Sequence, residues 1–231
     1  MERVLEHLVI IAWNIYIGNT PIKARKALKS LIRIHKPDVI ALMEASNLYG
    51  ELDELGYNVI QLKPRPLRKD NQPGQGNVAI LVSPDYVVKE KKALHMLTFW
   101  IGPKHGWPQD PRVYRSVKIR HRDDPTARTW MICVAHTPFG MEARAESRVR
   151  LISWFRNCKV GQPSILVLDA NMGINEFRQS IAKPASAEAS GHGIDLEAHK
   201  WCELVDEENL GNGISDHPAI KRKYAARRRA E

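Results

Sequence analysis

At 231 residues the chain is long enough for one domain with a substantial core, and too short for two. Hydrophobic residues make up 43% and charged residues 26%, which is ordinary for a soluble globular protein and not for a disordered one. The net charge of +9, from 35 basic and 26 acidic side chains, is less ordinary and favours polyanionic partners, either nucleic acid or an acidic membrane surface.

The cysteines and the apolar runs indicate the compartment in which we expect the protein. Cys133, Cys158 and Cys202 form no CxxC pair, which argues against a disulfide-built secreted domain and favours a reducing compartment. No apolar stretch approaches the roughly 18 residues needed to span a bilayer. The charged N-terminus runs straight into an apolar strand and does not resemble a signal peptide. We therefore expect a cytoplasmic monomer without a membrane span.

The first part of the chain predicts a strand–helix–strand unit. An apolar run ends at Asn14, and a helical stretch follows, which Thr20-Pro21 opens as cap and first-turn proline and which ends before Pro37. A second apolar run then ends at Glu44. The apolar residues of the predicted helix are Ile22, Leu28, Leu31, Ile32 and Ile34.

The middle of the chain alternates predicted strands with two long loops. The segments 63–76 and 102–112 contain prolines, glycines and basic residues, so each is a loop. The first loop is either a solvated surface or an arm that contacts phosphates, and in the second Trp107 either packs under its own loop or stacks on a base. Around them the sequence predicts a short helix near 48–55 and strands at 57–60, 77–83, 86–91 and 94–101.

The second part repeats the strand–helix–strand plan. A hairpin of strands 113–120 and 128–135 carries Arg115 and ends at His136, and a helix follows over 141–158. The run 164–168 is too continuous for a strand with one wet face and predicts a strand buried on both faces. It ends in Asp169 and Asn171, whose side chains leave on the same side. The remaining predictions are a loop at 177–190, a strand near 201–205 between the motif segments 192–196 and 215–220, and a frayed basic tail from 221.

The polar strand ends predict one shared site, because ligands in layered α/β folds gather at the ends of strands. Carboxylates and carboxamides are hard oxygen ligands for Mg²⁺, Mn²⁺ or Ca²⁺. Histidines move protons, and an arginine neutralises charge on a phosphate, so the set describes hydrolysis of a phosphate ester. No HExxH, GxGxxG or GxxxxGK[ST] pattern is present. The candidate residues are Asn14, Glu44, Arg115, His136, Asp169, Asn171, Asp195, Asp216 and His217.

The order of these motifs resembles the endonuclease/exonuclease/phosphatase superfamily, the fold of DNase I and of exonuclease III-type abasic-site endonucleases. The resemblance covers nearly the whole chain. It implies a four-layer α/β sandwich in which two packed, mostly antiparallel sheets are flanked by helices, with one domain over 1–220 and a basic tail over 221–231. The motifs are WN at 13–14, DVIALME at 38–44, the strand with Arg115, AHTP at 135–138, LDAN at 168–171, GID at 193–195 and SDH at 215–217.

The same resemblance implies a role for each candidate. Glu44 is the main metal ligand, with Asn14 and Asp216 close to the metal. Asp169 and Asn171 orient the attacking water and the scissile phosphate.

On the phosphate side, His136 and Arg115 hold phosphate oxygens. His217, oriented by Asp195, is the general base or a phosphate stabiliser, and the sequence leaves open whether Asp169 or His217 takes the proton from water. The abasic-site enzymes carry an acid where this chain has Tyr16, which weakens assignment to that subgroup.

Three functions remain to be weighed. The leading hypothesis is a nuclease that uses Mg²⁺ (or Mn²⁺ or Ca²⁺) and prefers DNA to RNA, which the complete site and the basic charge favour. The alternative is a phosphatase or phosphodiesterase of small-molecule or lipid phosphoesters, which the same site would serve. A catalytically silent nucleic-acid-binding module is a third reading, and the intact residue set argues against it.

Overall fold

Two six-stranded β-sheets pack face to face, with helices on both outer surfaces. The computed structural model describes residues 6–15, 19–61, 77–95, 113–137, 141–192 and 195–227. Sheet 1 has the order β11-β12-β1-β2-β4-β3 and consists of β1 (His7–Asn14), β2 (Val39–Met43), β3 (Asn58–Gln61), β4 (Ala79–Val82), β11 (Cys202–Asn209) and β12 (Ile220–Ala226). Sheet 2 has the order β5-β6-β7-β8-β10-β9 and consists of β5 (Tyr86–His95), β6 (Val113–His121), β7 (Trp130–His136), β8 (Ser164–Asp169), β9 (Glu188–His192) and β10 (Asp195–Lys200).

Two long helices form the outer layers. Ala24 and Leu28 of α1 (Pro21–His35) pack on sheet 1, while Leu151 and Phe155 of α2 (Met141–Asn157) pack on sheet 2. The shorter helical segments are 3₁₀ turns at Ser46–Leu48 and Asp53–Leu55, α3 (Ile174–Phe177), a π-type turn at Arg178–Ala182 and α4 (Lys183–Ala185). None of the helices in the described ranges is long and apolar enough to cross a membrane.

The ends of α1 are those that the sequence predicts. The hydroxyl of Thr20 accepts a hydrogen bond from the backbone N–H of Lys23 at 3.4 Å, and Pro21 occupies the first helical turn. At the other end Lys36 turns into the left-handed conformation, and its N–H bonds to the carbonyl of Ile32.

The predicted repeat of the strand–helix–strand plan is confirmed. The helix α1 joins the parallel pair β1–β2, and α2 joins the parallel pair β7–β8. Every other strand pair is antiparallel in the described part of the chain. The four-layer sandwich expected from the resemblance is therefore the observed fold.

The apolar core between the sheets positions the site. Ala12 and Met43 of sheet 1 and Val134 and Val167 of sheet 2 belong to one buried cluster between the sheets. Asn14, His136 and Asp169 lie two residues further along their strands than Ala12, Val134 and Val167, so they continue the same face. The site thus lies where the inter-sheet core reaches one end of the sandwich.

Several predictions from sequence are wrong. Residues 177–190 are not a loop: they contain the end of α3, the π-type turn, α4 and the first half of β9. Their small and polar composition hid the buried side chains Phe177, Ile181 and Ala185, which pack on sheet 2. The short predicted helix near 48–55 is two separate 3₁₀ turns.

The basic segment from 221 is not frayed as far as residue 226, because it forms β12. Its residues alternate between buried and partly exposed as far as Tyr224, with Arg222 among the buried ones, and Tyr224 and Ala226 enter the inter-sheet core. On the helices, Ile22, Ile34 and Val149 are exposed instead of packed. The predicted loops 63–76 and 102–112, the strand-like residues 96–101 and Tyr16 lie outside the described residues.

Cys133, Cys158 and Cys202 are all free and buried.

Candidate active site

Three site residues form a row across the centre of sheet 2. His136 at the end of β7 is in register with Asp169 at the end of β8, and Asp169 is in register with Asp195 at the start of β10. Residues in register on paired strands point to the same face, here the face toward sheet 1. The backbone N–H of Thr137 donates to the carbonyl of Asp169 at 2.9 Å, which extends the β7–β8 pairing past the row.

Sheet 1 contributes two more residues to this row. The amide Nδ2 of Asn14 donates to Asp169 Oδ2 at 2.9 Å, and both side chains are buried. His136 Nε2 lies 3.6 Å from Asp169 Oδ2 and 4.0 Å from Glu44 Oε1. One nitrogen and two carboxylate oxygens, from Glu44, His136 and Asp169, therefore lie within 4.8 Å of one another.

Two non-glycine residues of the site have left-handed backbone conformations. Glu44 follows β2 with φ of 53°, and Asn171 follows β8 with φ of 46°. Asn tolerates this region, whereas for Glu it costs roughly 1–2 kcal/mol. Asn171 is held by its side chain, whose Nδ2 donates to the carbonyl of Thr137 at 2.6 Å. Strained residues of this kind persist where the surrounding structure fixes them, which is typical of functional sites.

His217 forms a close pair with Asp195. Its Nδ1 lies 2.8 Å from Asp195 Oδ2, and this hydrogen bond, assisted by the charges of Asp195, Asp169 and Asp216, raises the pKa of His217 to about 9 against the opposing effect of burial. Asp169, Asp195 and His217 form a second cluster with ligand atoms within 4.8 Å. Asp169 therefore belongs to both clusters.

Burial shifts the pKa of Asp169 upward. Desolvation raises it to about 6, and the negative charge of Asp195 adds to the rise. The hydrogen bonds from Asn14 and from the N–H of Asn171, at 2.9 and 3.2 Å, oppose the rise. A carboxyl with such a pKa changes its protonation state close to neutral pH, as a catalytic acid or base must.

The loop that carries His217 is fixed to β1 by two side chains. The indole Nε1 of Trp13 donates to the carbonyl of His217 at 3.1 Å. The hydroxyl of Ser215 donates to the carbonyl of Asn14 at 2.6 Å and accepts from the N–H of His217 at 3.2 Å. Trp13 is buried, and a Cβ on Gly213 would lie 3.3 Å from its ring, so the loop lies directly on the indole. We call Trp13 and Ser215 the loop clamp.

Arg115 is a buried cation next to this site. It is 5% exposed and pairs with Val134 in the β6–β7 register, so it lies on the inter-sheet face near His136. Burial lowers its pKa to about 10. No carboxylate pairs with it among the described residues, and its Nε has no hydrogen-bond partner there. A buried guanidinium without an internal anion is suited to bind an external one, such as a phosphate.

The donor set fits a hard divalent cation. Glu44 and Asp169 supply carboxylate oxygens and Asn14 an amide group at one place, and His136 adds a nitrogen. Asp216 is in neither cluster of ligand atoms: its side chain is 68% exposed, and its Oδ1 lies 3.9 Å from His217 Nε2. Its part in holding a metal stays a prediction.

The structure brings together most of the residues that the sequence singled out. Glu44, His136, Asp169, Asp195 and His217 meet in the two clusters, and Asn14 and Asn171 are hydrogen-bonded to Asp169. Arg115 shares the face of His136, and Asp216 lies at the exposed edge. Gly193, Ile194 and Pro138 of the motifs lie outside the described residues. The roles of Thr137 and Ser215 were missed. Ser215 had a usable signal, because a serine two residues before a functional side chain often bonds to the backbone of the turn.

Two packed sheets flanked by helices are the architecture of the DNase I type, and the acid, amide and histidine constellation lies at one end of this sandwich. A family model described as the endonuclease/exonuclease/phosphatase family matches residues 11–196. The chain belongs to this family, a superfamily of phosphoesterases. No curated protein sequence matches the chain.

Solved structures share the fold at low identity. A family protein from Bacteroides thetaiotaomicron is 16% identical with a TM-score of 0.73, over 97% of this chain and 99% of that one. The human Nocturnin catalytic domain with a bound sulfate anion is 17% identical with a TM-score of 0.70, over 95% and 94%. D. rerio TDP2 in complex with a single-strand DNA product is 13% identical with a TM-score of 0.70, over 95% and 99%. A mannosyl-6-phosphatase, also from B. thetaiotaomicron, is 16% identical with a TM-score of 0.72, over 94% and 99%.

Proposed function

We propose that the protein is a divalent-metal-dependent phosphodiesterase that hydrolyses nucleic acid, with DNA preferred. The observation that carries this proposal is the position of Asp169. Its buried carboxylate belongs both to the cluster with Glu44 and His136 and to the cluster with Asp195 and His217. A water bound at this carboxylate would be near ligands for a cation and near a charged hydrogen-bond donor.

The pKa values divide the chemistry between Asp169 and His217. At pH 7.5 a carboxyl with a pKa of about 6 is ionised and can accept the proton of the attacking water. An imidazole with a pKa of about 9 is protonated and cannot. We therefore assign the general base to Asp169. His217 is the charged donor that stabilises the phosphoryl oxygen, and Asp195 holds its ring.

The remaining residues bind the substrate. Arg115 and His136 hold non-bridging phosphate oxygens, because a buried guanidinium without a carboxylate partner in the described chain attracts an anion. Asn171 positions the phosphate. A divalent cation held by Glu44, with Asn14 and Asp216 nearby, would supply Lewis-acid polarisation of a phosphoryl oxygen.

The nucleic-acid assignment rests on charge and on one neighbour. The net charge of +9 favours a polyanion over a small ester, and the TDP2 neighbour carries a single-strand DNA product. The mannosyl-6-phosphatase neighbour supports the second candidate, a phosphatase of small esters.

The proposal is tested by cleavage of supercoiled plasmid in Mg²⁺ and in EDTA. We expect nicking by the wild type in Mg²⁺ only, and a loss of roughly 10²–10⁴-fold in Glu44→Ala and His217→Ala. Glu203→Ala and His35→Ala, which remove the same residue types away from the site, serve as matched controls and should cleave normally.

Three results would contradict parts of the proposal. Nicking that persists in EDTA would show that the reaction does not depend on a divalent metal. Full activity in either site variant removes that residue from the mechanism. If plasmid stays intact while phosphate is released from small monoesters in Mg²⁺, the phosphatase replaces the nuclease.

A further inference from the structure

The outward side of α1 carries a row of cations. The helix holds five basic residues and no acidic one, and the residues that it buries against sheet 1 are Ala24 and Leu28. At 100° per residue, the exposed side chains of Lys23, Lys26, Lys29 and Arg33 fall within an arc of about 120° on the opposite side. We call these four residues the α1 cationic stripe.

Acidic neighbours neutralise only one flank of this helix. Arg25 pairs with Glu51 and Glu54 at 3.2 Å, and Lys29 lies 3.9 Å from Glu54. Among the described residues, no carboxylate lies within 4 Å of Lys23, Lys26 or Arg33. Three like charges along one helical face repel one another, and the field that they create attracts a polyanion.

The segment just before the stripe is bonded to the two segments that carry Asn14 and His217. Asn19, one turn before Lys23, donates its amide to the carbonyls of Ile15 and Ile214, each at 2.8 Å. Ile15 directly follows the site residue Asn14, and Ile214 lies three residues before His217. From Lys23 to Arg33 the helix then leads about 15 Å away from the site. A chain whose scissile phosphate lies in the site can therefore continue along the stripe.

The same face is poorly suited to a membrane. A helix that lies on a bilayer buries a continuous apolar side in it, whereas the apolar side of α1 is already packed on sheet 1. The two large apolar residues exposed on α1 are Ile22 and Ile34, which are about 18 Å apart along the axis. Cations without an accompanying apolar face favour a phosphate backbone.

We propose that the α1 cationic stripe binds backbone phosphates of a polynucleotide on one side of the scissile bond. The inference rests on the proposed function and deepens it, because it makes the substrate a polymer instead of a small phosphoester. Cations of this kind contact phosphates without reading bases, so DNA and RNA, single-stranded or duplex, share the chemistry that is recognised.

The test measures binding without cleavage. Fluorescence anisotropy of a labelled 30-nucleotide single strand and a 30-base-pair duplex is followed in EDTA from 50 to 500 mM KCl, for wild type and for Lys26→Gln/Arg33→Gln. Gln keeps helix propensity, so the fold should be retained, which circular dichroism checks. The matched control is Lys159→Gln/Lys183→Gln, which removes two exposed lysines near the opposite, α2-covered surface.

For the single strand, we expect the slope of log K against log salt to be about 1.4 less steep in the stripe variant than in wild type. Over a tenfold decrease in salt, from 1 M to 0.1 M, the variant therefore gains about 25-fold less affinity than wild type. The control should keep the wild-type slope. Hydrolysis of bis(p-nitrophenyl) phosphate in Mg²⁺ should be equal in all three proteins, because this small ester cannot reach the stripe.

The proposal is overturned if the stripe variant binds both polynucleotides with the wild-type slope, or if the control loses as much. It is also overturned if the stripe charges matter only for binding to vesicles with 30% phosphatidylserine. If the stripe-dependent binding is found but no phosphodiester is hydrolysed, the stripe stands and the proposed function fails. If long and short substrates are both hydrolysed equally by wild type and the stripe variant, the proposed function stands and the stripe proposal fails.

Discussion

Asp169 is the residue at which the two halves of the sandwich meet. It ends β8 in sheet 2, yet it accepts a hydrogen bond from Asn14 of sheet 1 and lies near His136 and the Asp195–His217 pair. Its burial has an energetic consequence, because removing an ionised carboxylate from water raises its free energy. The site therefore holds Asp169 in a state that costs stability at neutral pH and suits it to accept a proton.

The first prediction concerns the pH dependence of this cost. With a folded pKa of about 6 against an ordinary 3.8, Asp169 stabilises the fold fully only below pH 3.8, and this contribution is lost as the pH rises through 6. The side chain of the Asp169→Asn variant cannot ionise. The unfolding free energy of the variant minus that of wild type should therefore rise by up to about 3 kcal/mol between pH 4 and pH 7. Urea unfolding in EDTA measures the difference, and turnover should fall roughly 10²–10⁴-fold. If the unfolding free energies of wild type and Asp169→Asn change in parallel with pH, the raised pKa of Asp169 is ruled out.

The second prediction concerns the His217–Asp195 pair. Because the hydrogen bond that His217 donates to Asp195 is the largest cause of the raised pKa, Asp195→Asn should return the pKa of His217 from about 9 to its ordinary value of 6.5 or below. Wild type should be more stable than this variant below pH 6.5 and lose the advantage as the pH rises through 9. Titration of the imidazole Cε1–H signal by NMR in EDTA follows the pKa directly. If the pKa of His217 stays near 9 in Asp195→Asn, the charge of Asp169 or Asp216 is the main cause of the raised value.

Single residues were predictable from sequence where a strand ends in polar residues. Asp169 and Asn171 stand out because an apolar run stops at them, and the same holds for Asn14, Glu44 and His136. The state of Arg115 was not predictable, because its burial depends on contacts that only the folded chain provides. The left-handed conformation of Glu44 likewise depends on contacts distant in sequence, such as the bond from the N–H of Ala45 to the carbonyl of Asn77.

Among the elements, the loop after β11 depends on β1 for its shape. This loop contains turns and no helix or strand, yet it carries Asp216 and His217. The loop clamp holds it through hydrogen bonds to the backbone. Loops with few contacts open readily, so a catalytic histidine on such a loop needs this support. The clamp therefore determines where the His217 ring lies relative to Asp195.

The third prediction tests the clamp. Trp13→Phe keeps the apolar body and removes the indole N–H that donates to the His217 carbonyl at 3.1 Å. The loss of one such bond is about 1 kcal/mol, so turnover should fall roughly fivefold with little change in KM, since substrate contacts remain. Trp154→Phe is the matched control. Trp154 is also buried, and its indole N–H has no partner among the described residues, so its turnover should not change.

Sequence patterns predicted the elements unevenly, for a physical reason. The units β1–α1–β2 and β7–α2–β8 have long apolar runs, and α1 has a clear cap at each end, so local signals define them. The stretch 177–190 and strand β12 lack such signals because few of their residues are large and apolar. Their structure comes from pairing with β10 and β1, which only the folded chain provides.

Over the whole molecule, the two sheets are also joined by a buried ion cluster. Arg222 of β12 in sheet 1 is 2% exposed, and its Nε lies 3.2 Å from Glu197 of β10 in sheet 2 and donates to Glu207 at 2.6 Å. Glu197 is fully buried and lies two residues along β10 from Asp195, on the same face. This ion cluster therefore fixes the strand that carries Asp195 against the sheet whose loop carries His217.

The fourth prediction compares two neighbouring cations on β12. Arg222→Met leaves Glu197 buried without its cation and should lower the unfolding free energy by about 3–5 kcal/mol. Lys221→Met removes a cation whose partner Glu208 is half-exposed, at 2.7 Å, and should cost less than about 1 kcal/mol. Urea unfolding of both variants at pH 7.5 in EDTA measures the contrast. Equal losses would mean that the ion cluster does not hold the sheets together.

A double variant separates the ion pair from the packing. Glu197→Leu removes the buried charge that Arg222→Met leaves unpaired, so Glu197→Leu/Arg222→Met should regain part of the stability lost in the single variant. If it does, and turnover per folded molecule stays near wild type, the buried pair is a structural link that apolar packing can replace. If stability returns but turnover does not, the Arg222–Glu197 bond also sets the distance between Asp195 and His217 on which the site depends.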